Sequence, residues 1–154
     1  MSIINKIFID SSVLIEYFKG SKLELLEQLA LIPNLKLQIN ETVISEVIYH
    51  IIGFYSNISP VTLKRKGKIS ELLSSIDLNG FLQNFDIIYS NIDIDHLIQL
   101  MANGNYLPND ALILNCCLEN NIQYLATYDS DFNNQFIQSK LQIISSIEDM
   151  KLIT

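Results

Sequence analysis

The stretch Lys6-Ile7-Phe8-Ile9-Asp10-Ser11-Ser12-Val13-Leu14-Ile15 decides the fold class of this chain. A short apolar run ends on one acid, which is the pattern of a buried strand. Ser11 and Ser12 follow at once and offer capping oxygens for a short helix through Val13, Leu14, Ile15 and Tyr17. The alternation continues outward. Leu23, Leu26, Leu29 and Ala30 fall at helical spacing, and Leu35–Ile39 reads as a strand. Asn40 can cap a helix whose apolar face is Val43, Ile44, Val47, Ile48, Ile51 and Ile52. Pro60 opens a helix that is expected to carry a basic cluster and to continue through Ile69, Leu72, Leu73 and Ile76. Residues 86–89 read as a strand and 95–102 as a helix. Pro108-Asn109-Asp110 opens a helix over 111–119, and residues 123–127 and 141–144 are the remaining strands. Strands alternating with helices predict an α/β fold with a mainly parallel sheet.

At 154 residues the chain is expected to be one domain over 1–154, with a helical excursion around 58–84. A chain of this length buries about 68–70% of its unfolded surface, enough for a core without staples. A hydrophobic fraction of 49% excludes a disordered chain, and 5 Gly with 3 Pro exclude collagen-like and low-complexity classes. The longest apolar stretch, 47–55, is broken by His50 and Gly53 and falls short of the roughly 18 residues of a membrane span. Residues 1–10 reach Asp10 before a signal-peptide core develops, so none is expected. Cys116 and Cys117 are adjacent, which gives neither a disulfide framework nor a metal knuckle. They are expected to be buried small hydrophobes in a reducing, cytoplasmic setting. The net charge of −7 argues against a general nucleic-acid coat. Yet Lys64, Arg65, Lys66 and Lys68 place four of the ten basic residues within five positions, as a candidate RNA contact or a solvated helix face.

The acids fall where ligands of parallel sheets bind, beyond the carboxyl ends of the strands. Asp10 follows the first strand. Asp129 and Asp131 follow the strand at 123–127, Asp110 stands at the mouth of a helix, and Glu46 lies within one, among Val43, Val47 and Ile48. Each has a plain structural reading. Asp10 and Asp110 would cap helices, Glu46 would face water, and Asp129-Ser130-Asp131 would be a turn. Their joint placement changes the balance, because carboxylates gathered at one edge repel one another and must be desolvated. A divalent cation removes that conflict. Oxygen ligands suit Mg²⁺ or Mn²⁺, one ion or two, rather than Zn²⁺.

Four motifs in order resemble the PIN-domain nucleases, in particular the VapC-type toxins of toxin–antitoxin pairs. They are Phe8-Ile9-Asp10-Ser11-Ser12-Val13-Leu14-Ile15, Ile44-Ser45-Glu46-Val47, Asn109-Asp110-Ala111-Leu112-Ile113 and Leu125-Ala126-Thr127-Tyr128-Asp129-Ser130-Asp131-Phe132. The resemblance covers nearly the whole chain. It implies a three-layer α/β/α fold and metal-dependent endonucleolytic cleavage of RNA. It implies Asp10, Glu46, Asp110 and Asp129 as the catalytic acids, with Asp10, Asp110 and Asp129 on the metal. Ser12 and Thr127 would hold the site together, and Asp131 would be an auxiliary. The partners it implies are RNA, a small antitoxin and a second copy of the chain, with no membrane. The alternatives are a PIN nuclease of RNA processing and a PIN-like module that binds RNA or protein without cutting. His50, one turn after Glu46, is expected to be partly buried and satisfied by its neighbours.

Overall fold

The computed structural model of the protein describes residues 5–153. In chain order it runs β1 (Asn5–Ile9), α1 (Ser11–Phe18), α2 (Glu24–Ala30), β2 (Leu35–Ile39), α3 (Glu41–Ser56), α4 (Pro60–Arg65), α5 (Ile69–Ser74) and α6 (Leu78–Leu82). It continues with β3 (Asp86–Ile87), α7 (Ile94–Gly104), α8 (Pro108–Glu119), β4 (Tyr124–Ala126), α9 (Gln135–Gln138) and β5 (Gln142–Ile144). Short 3₁₀ turns at Ser130–Phe132 and Glu148–Leu152 complete it.

All five strands are parallel, in the order β3-β2-β1-β4-β5. The central strand is β1, with Ile7 opposite Leu37 on one side and Tyr124 on the other. Ile7, Phe8 and Ile9 are fully buried, as a strand covered on both faces requires. The chain first builds outward from β1 to β2 and β3, then crosses back to lay down β4 and β5 on the other side. Right-handed crossovers in opposite directions put helices on both faces of the sheet. The direction of winding reverses between β1 and β4, and the crevice beyond their carboxyl ends is where such sheets bind ligands.

One sheet and one continuous core run through residues 5–153. Residues 1–4 and 154, at the ends of the expected 1–154 domain, lie outside the described residues. No helix among the described residues is long and apolar enough to cross a membrane.

The helix expected to run from Pro60 through Ile76 is divided into two short ones, α4 and α5, and α6 follows within the helical segment 58–84. Gly67 takes a left-handed backbone, φ +67°, and turns the chain between α4 and α5 in the middle of the basic cluster. Asp77 then starts α6 afresh by accepting from the Gly80 amide at 2.8 Å. β3 is also shorter than the expected 86–89. Its neighbour β2 ends at Ile39, whose carbonyl takes the Ile88 amide at 2.9 Å as the last bond between them, and Asn40 then caps α3.

Candidate active site

Asp10 ends the central strand and caps α1. Its amide donates to the Ala126 carbonyl at 2.9 Å, extending the β1–β4 ladder by one bond. Its carboxylate is nearly sealed, with the residue 4% exposed. One oxygen, Oδ2, accepts from Ser12 Oγ at 2.5 Å and from Thr127 Oγ1 at 2.8 Å. The hydroxyls accept in turn: the Tyr128 amide donates to Ser12 Oγ at 3.0 Å and the Asp129 amide to Thr127 Oγ1 at 2.9 Å. The ends of β1 and β4 are thus joined through two hydroxyls and one carboxylate. Burial pushes the Asp10 carboxyl above its ordinary value, against the pull of the Ser12 and Thr127 bonds.

Glu46 comes from α3, whose start is fixed by Asn40 accepting from the Val43 amide at 3.1 Å. The side chain is half-buried and held at both ends. Ser11 Oγ on α1 donates to Oε2 at 2.6 Å, and Asn109 Nδ2 on α8 donates to Oε1 at 2.6 Å. Three helices therefore meet on one carboxylate.

Asp110 is not the cap of α8. Leu107 holds that position and Pro108 is the first helical residue, which places Asp110 third, within the first turn. Its carboxyl is pushed up to about 6, first by burial and then by the charges of Asp129, Asp10 and Glu46. Asp129 forms the expected turn and stands near another of the acids. It caps the turn Ser130–Phe132, accepting from the Asp131 amide at 2.9 Å, and it also repels Asp110. Phe132 is fully buried and anchors this turn in the core, while Asp131 is exposed.

The structure thus gathers the four expected acids at the crevice. It also adds Ser11 and Asn109, which sequence reasoning passed over although each adjoins a singled-out acid. The ion pairs of the described residues are Lys19–Glu16, Lys36–Asp86 and Lys68–Glu71, and none reaches the four acids. Among the described residues no three acidic, histidine or cysteine side chains close into a ready metal cluster. Asp10 and Glu46 are turned instead to hydroxyl and amide donors. The donor set is nonetheless all oxygen, negative and uncompensated, which fits a hard divalent cation. Nitrogen and sulfur take no part. Cys116 and Cys117 are buried in α8, as expected, and burial raises both thiols. His50 is exposed rather than buried, edge-on to Tyr49 at 6.1 Å, because its side of α3 faces away from the core.

Lys64, Arg65, Lys66 and Lys68 are exposed at the α4–α5 junction, which packs against the far end of α3. Ser56 ends that helix ten residues beyond Glu46, about 15 Å along the axis. The cluster is therefore separate from the carboxylates.

Comparison with known proteins agrees with this geometry. The family model described as PIN domain matches residues 7–135. The chain is 33% identical over 135 residues to a protein named Ribonuclease VapC2 from Methanocaldococcus jannaschii, covering 83% of this chain and 87% of that one. Among solved structures it is similar in fold to a chain of VapBC2 from Rickettsia felis bound to a DNA fragment from their promoter. There the TM-score is 0.60 at 20% identity, over 90% of this chain and 97% of that one. A toxin–antitoxin complex from Klebsiella pneumoniae gives a TM-score of 0.56 at 20% identity, over 90% and 95%.

The raised Asp110 carboxyl has a consequence for stability. Its folded value lies above the unfolded one, so the folded state holds the proton more tightly. The stability Asp110 contributes to the metal-free protein is expected to be fully present below about pH 4, to be lost as pH rises to about 6, and to stay absent above. Asp110→Asn removes this loss. Because the side chain is partly solvated, the gain at pH 7 in EDTA is expected to be about 1 kcal/mol, or ~2–4 °C in melting temperature. Thermal melts of both proteins between pH 4 and 8 check it. Parallel pH curves would contradict it.

Proposed function

The chain belongs to the PIN-domain family, among its VapC-type members, and from that premise we propose that it is a metal-dependent endoribonuclease, the toxin of a toxin–antitoxin pair. The observation that carries this reading is the meeting of Asp10, Glu46, Asp110 and Asp129 at the β1–β4 crevice, with no cationic side chain among the described residues paired to any of them. A module that only bound RNA or protein would bear the same repulsion without chemistry that needs it.

Asp10, Asp110 and Asp129 would hold Mg²⁺ or Mn²⁺, one ion or two. When bound, such an ion stabilises charge on a phosphoryl oxygen and makes water a better nucleophile. Glu46, gripped by Ser11 and Asn109, orients the attacking water and accepts its proton. Water adds to phosphorus and the bond to one ribose oxygen breaks. Ser12 and Thr127 keep Asp10 in place, and the Asp131 amide steadies Asp129. The enzyme is a single domain that acts in the cytoplasm. Its proposed partners are RNA, a small antitoxin and a second copy of the chain. The solved toxin–antitoxin relatives support the antitoxin, and exposed Ile92, Ile94 and Ile98 offer apolar surface for self-association.

The test is a panel of RNAs, structured tRNAs included, incubated with the purified protein. Cutting is expected with Mg²⁺ or Mn²⁺. It should stop in EDTA and fall by about 100-fold or more in Asp110→Asn, since even partners outside the ligand set cost about 10–100-fold. Equal cutting by the variant, or in EDTA, would refute the reading. We assign the basic cluster to the RNA backbone outside the crevice. Lys64, Arg65 and Lys66 have no ion pair among the described residues, while Lys68 pairs with Glu71 at 3.9 Å. Replacing the first three by Ala should lower the slope of log affinity against log salt by up to about 2, at about 0.7 per phosphate on a single strand. An unchanged slope would remove the cluster from the RNA path.

A further inference from the structure

Tyr128 stands between two residues of the carboxylate site and faces away from both. Thr127 points to Asp10, and Asp129 acts on Asp110. Asp129 has an extended backbone, φ −79° and ψ 121°, and along such a stretch successive side chains turn to opposite sides. It lies instead under the loop between α1 and α2, where Lys22 Nζ sits 4.3 Å from the ring centroid. The ring lines an open cleft of about 600 Å³, together with Leu23, Ile147 and three serines. Adjacent Cα atoms are about 3.8 Å apart, so the cleft and the carboxylates are neighbours across the end of β4.

The chemistry of the cleft is specific. The hydroxyl hydrogens of its serines are already committed inward. Ser21 Oγ donates to Glu16. Ser145 Oγ and Ser146 Oγ donate to Asp149 Oδ2 at 3.1 and 2.9 Å, beside the amides of the same two serines at 2.9 and 3.0 Å. What these serines offer a ligand is their remaining lone pairs, one on Ser146 being taken by the Asp149 amide at 3.3 Å. Glu24 and Glu148 add carboxylates at the same cleft. A phosphate would meet acceptors and negative charge there. A flat ring edged with N–H donors would meet an aromatic face and acceptors.

The geometry points to a nucleobase subsite. The base next to the scissile phosphate stacks on Tyr128, and its exocyclic amino group donates to the serine and glutamate oxygens, so adenine, cytosine and guanine are favoured over uracil. Lys22 swings from the ring to the adjoining phosphate. This rests on the ribonuclease reading above, and it names how that site selects the nucleotide beside its cut.

Two arms test it. In the first, the unsubstituted chain cuts a random-sequence RNA, and the cut ends are sequenced. One position beside the cut is expected to be depleted of uracil several-fold. The depletion should persist in Tyr128→Phe and vanish in Tyr128→Leu, which keeps apolar bulk at this half-buried position. In the second, Asp110→Asn binds a short single-stranded RNA carrying 2-aminopurine, a fluorescent base with an exocyclic amino group, walked along the strand. Quenching is expected at one position. Tyr128→Phe in that background should retain it, and Tyr128→Leu should lose it with about a 10-fold weaker affinity, as base–aromatic stacking predicts. Cutting with a base-blind profile in the unsubstituted chain overturns the subsite and leaves the nuclease standing. No cutting refutes the nuclease, and the second arm then decides the subsite alone. Quenching that depends on the ring supports it, and quenching that ignores the ring, or no quenching, overturns it.

Discussion

The buried carboxylate of Asp10 is the constraint on which the site depends. It sits at the end of the innermost strand, 4% exposed, where an unsatisfied charge would be costly. Ser12 and Thr127 satisfy it, and each hydroxyl then accepts an amide from the chain leaving β4. One small network therefore sets the spacing of β1 and β4 at the point where the winding reverses. The placement of Asp129 and the outward turn of Tyr128 both follow from it. Glu46 repeats the logic at the next layer, drawing α1, α3 and α8 together through Ser11 and Asn109.

These bonds hold the acids near one another but do not cancel their charge. Asp110 registers the imbalance most clearly, because it is the member with burial and three acidic neighbours acting on it and few bonds to offset them. In the proposed reading a divalent cation would relieve that repulsion, and a phosphodiester would meet it in the same crevice. The basic residues stand elsewhere, along α3 at the α4–α5 junction. In the proposed reading the basic residues would meet the RNA backbone away from the acids that would cut it, and the acidic net charge is compatible with both.

Much of this was legible in the chain. The run from Lys6 to Asp10 and the capping serines specified the central strand and its helix, because a doubly covered strand must be apolar throughout. Asn40 and Pro108 marked helix starts by their own chemistry. Asp10 and Asp129 were visible through their positions after strands, Asp110 at the opening of a helix, and Glu46 as an acid among the apolar residues of another. The break at Gly67 was less visible, since a helical pattern of apolar residues continues on both sides of it and one left-handed residue suffices to divide it. The short β3 depended on where its neighbour ended, which is not local information. Ser11 and Asn109 were hidden for a similar reason. Their role comes from reaching a carboxylate 35 and 63 residues away in the chain. His50 was misjudged because one turn of helix separates it from Glu46 yet leaves it on the open side.

The central claim is that the four acids form one electrostatic unit awaiting a divalent cation. The most direct measurement is a ¹³C NMR titration of the Asp110 carboxyl, without divalent metal and then with excess Mg²⁺. The account predicts a midpoint near 6 in the metal-free protein, and loss of that titration from the pH 4–8 range when Mg²⁺ is present. A midpoint at the ordinary carboxylate value, or one near 6 that Mg²⁺ leaves in place, would contradict it.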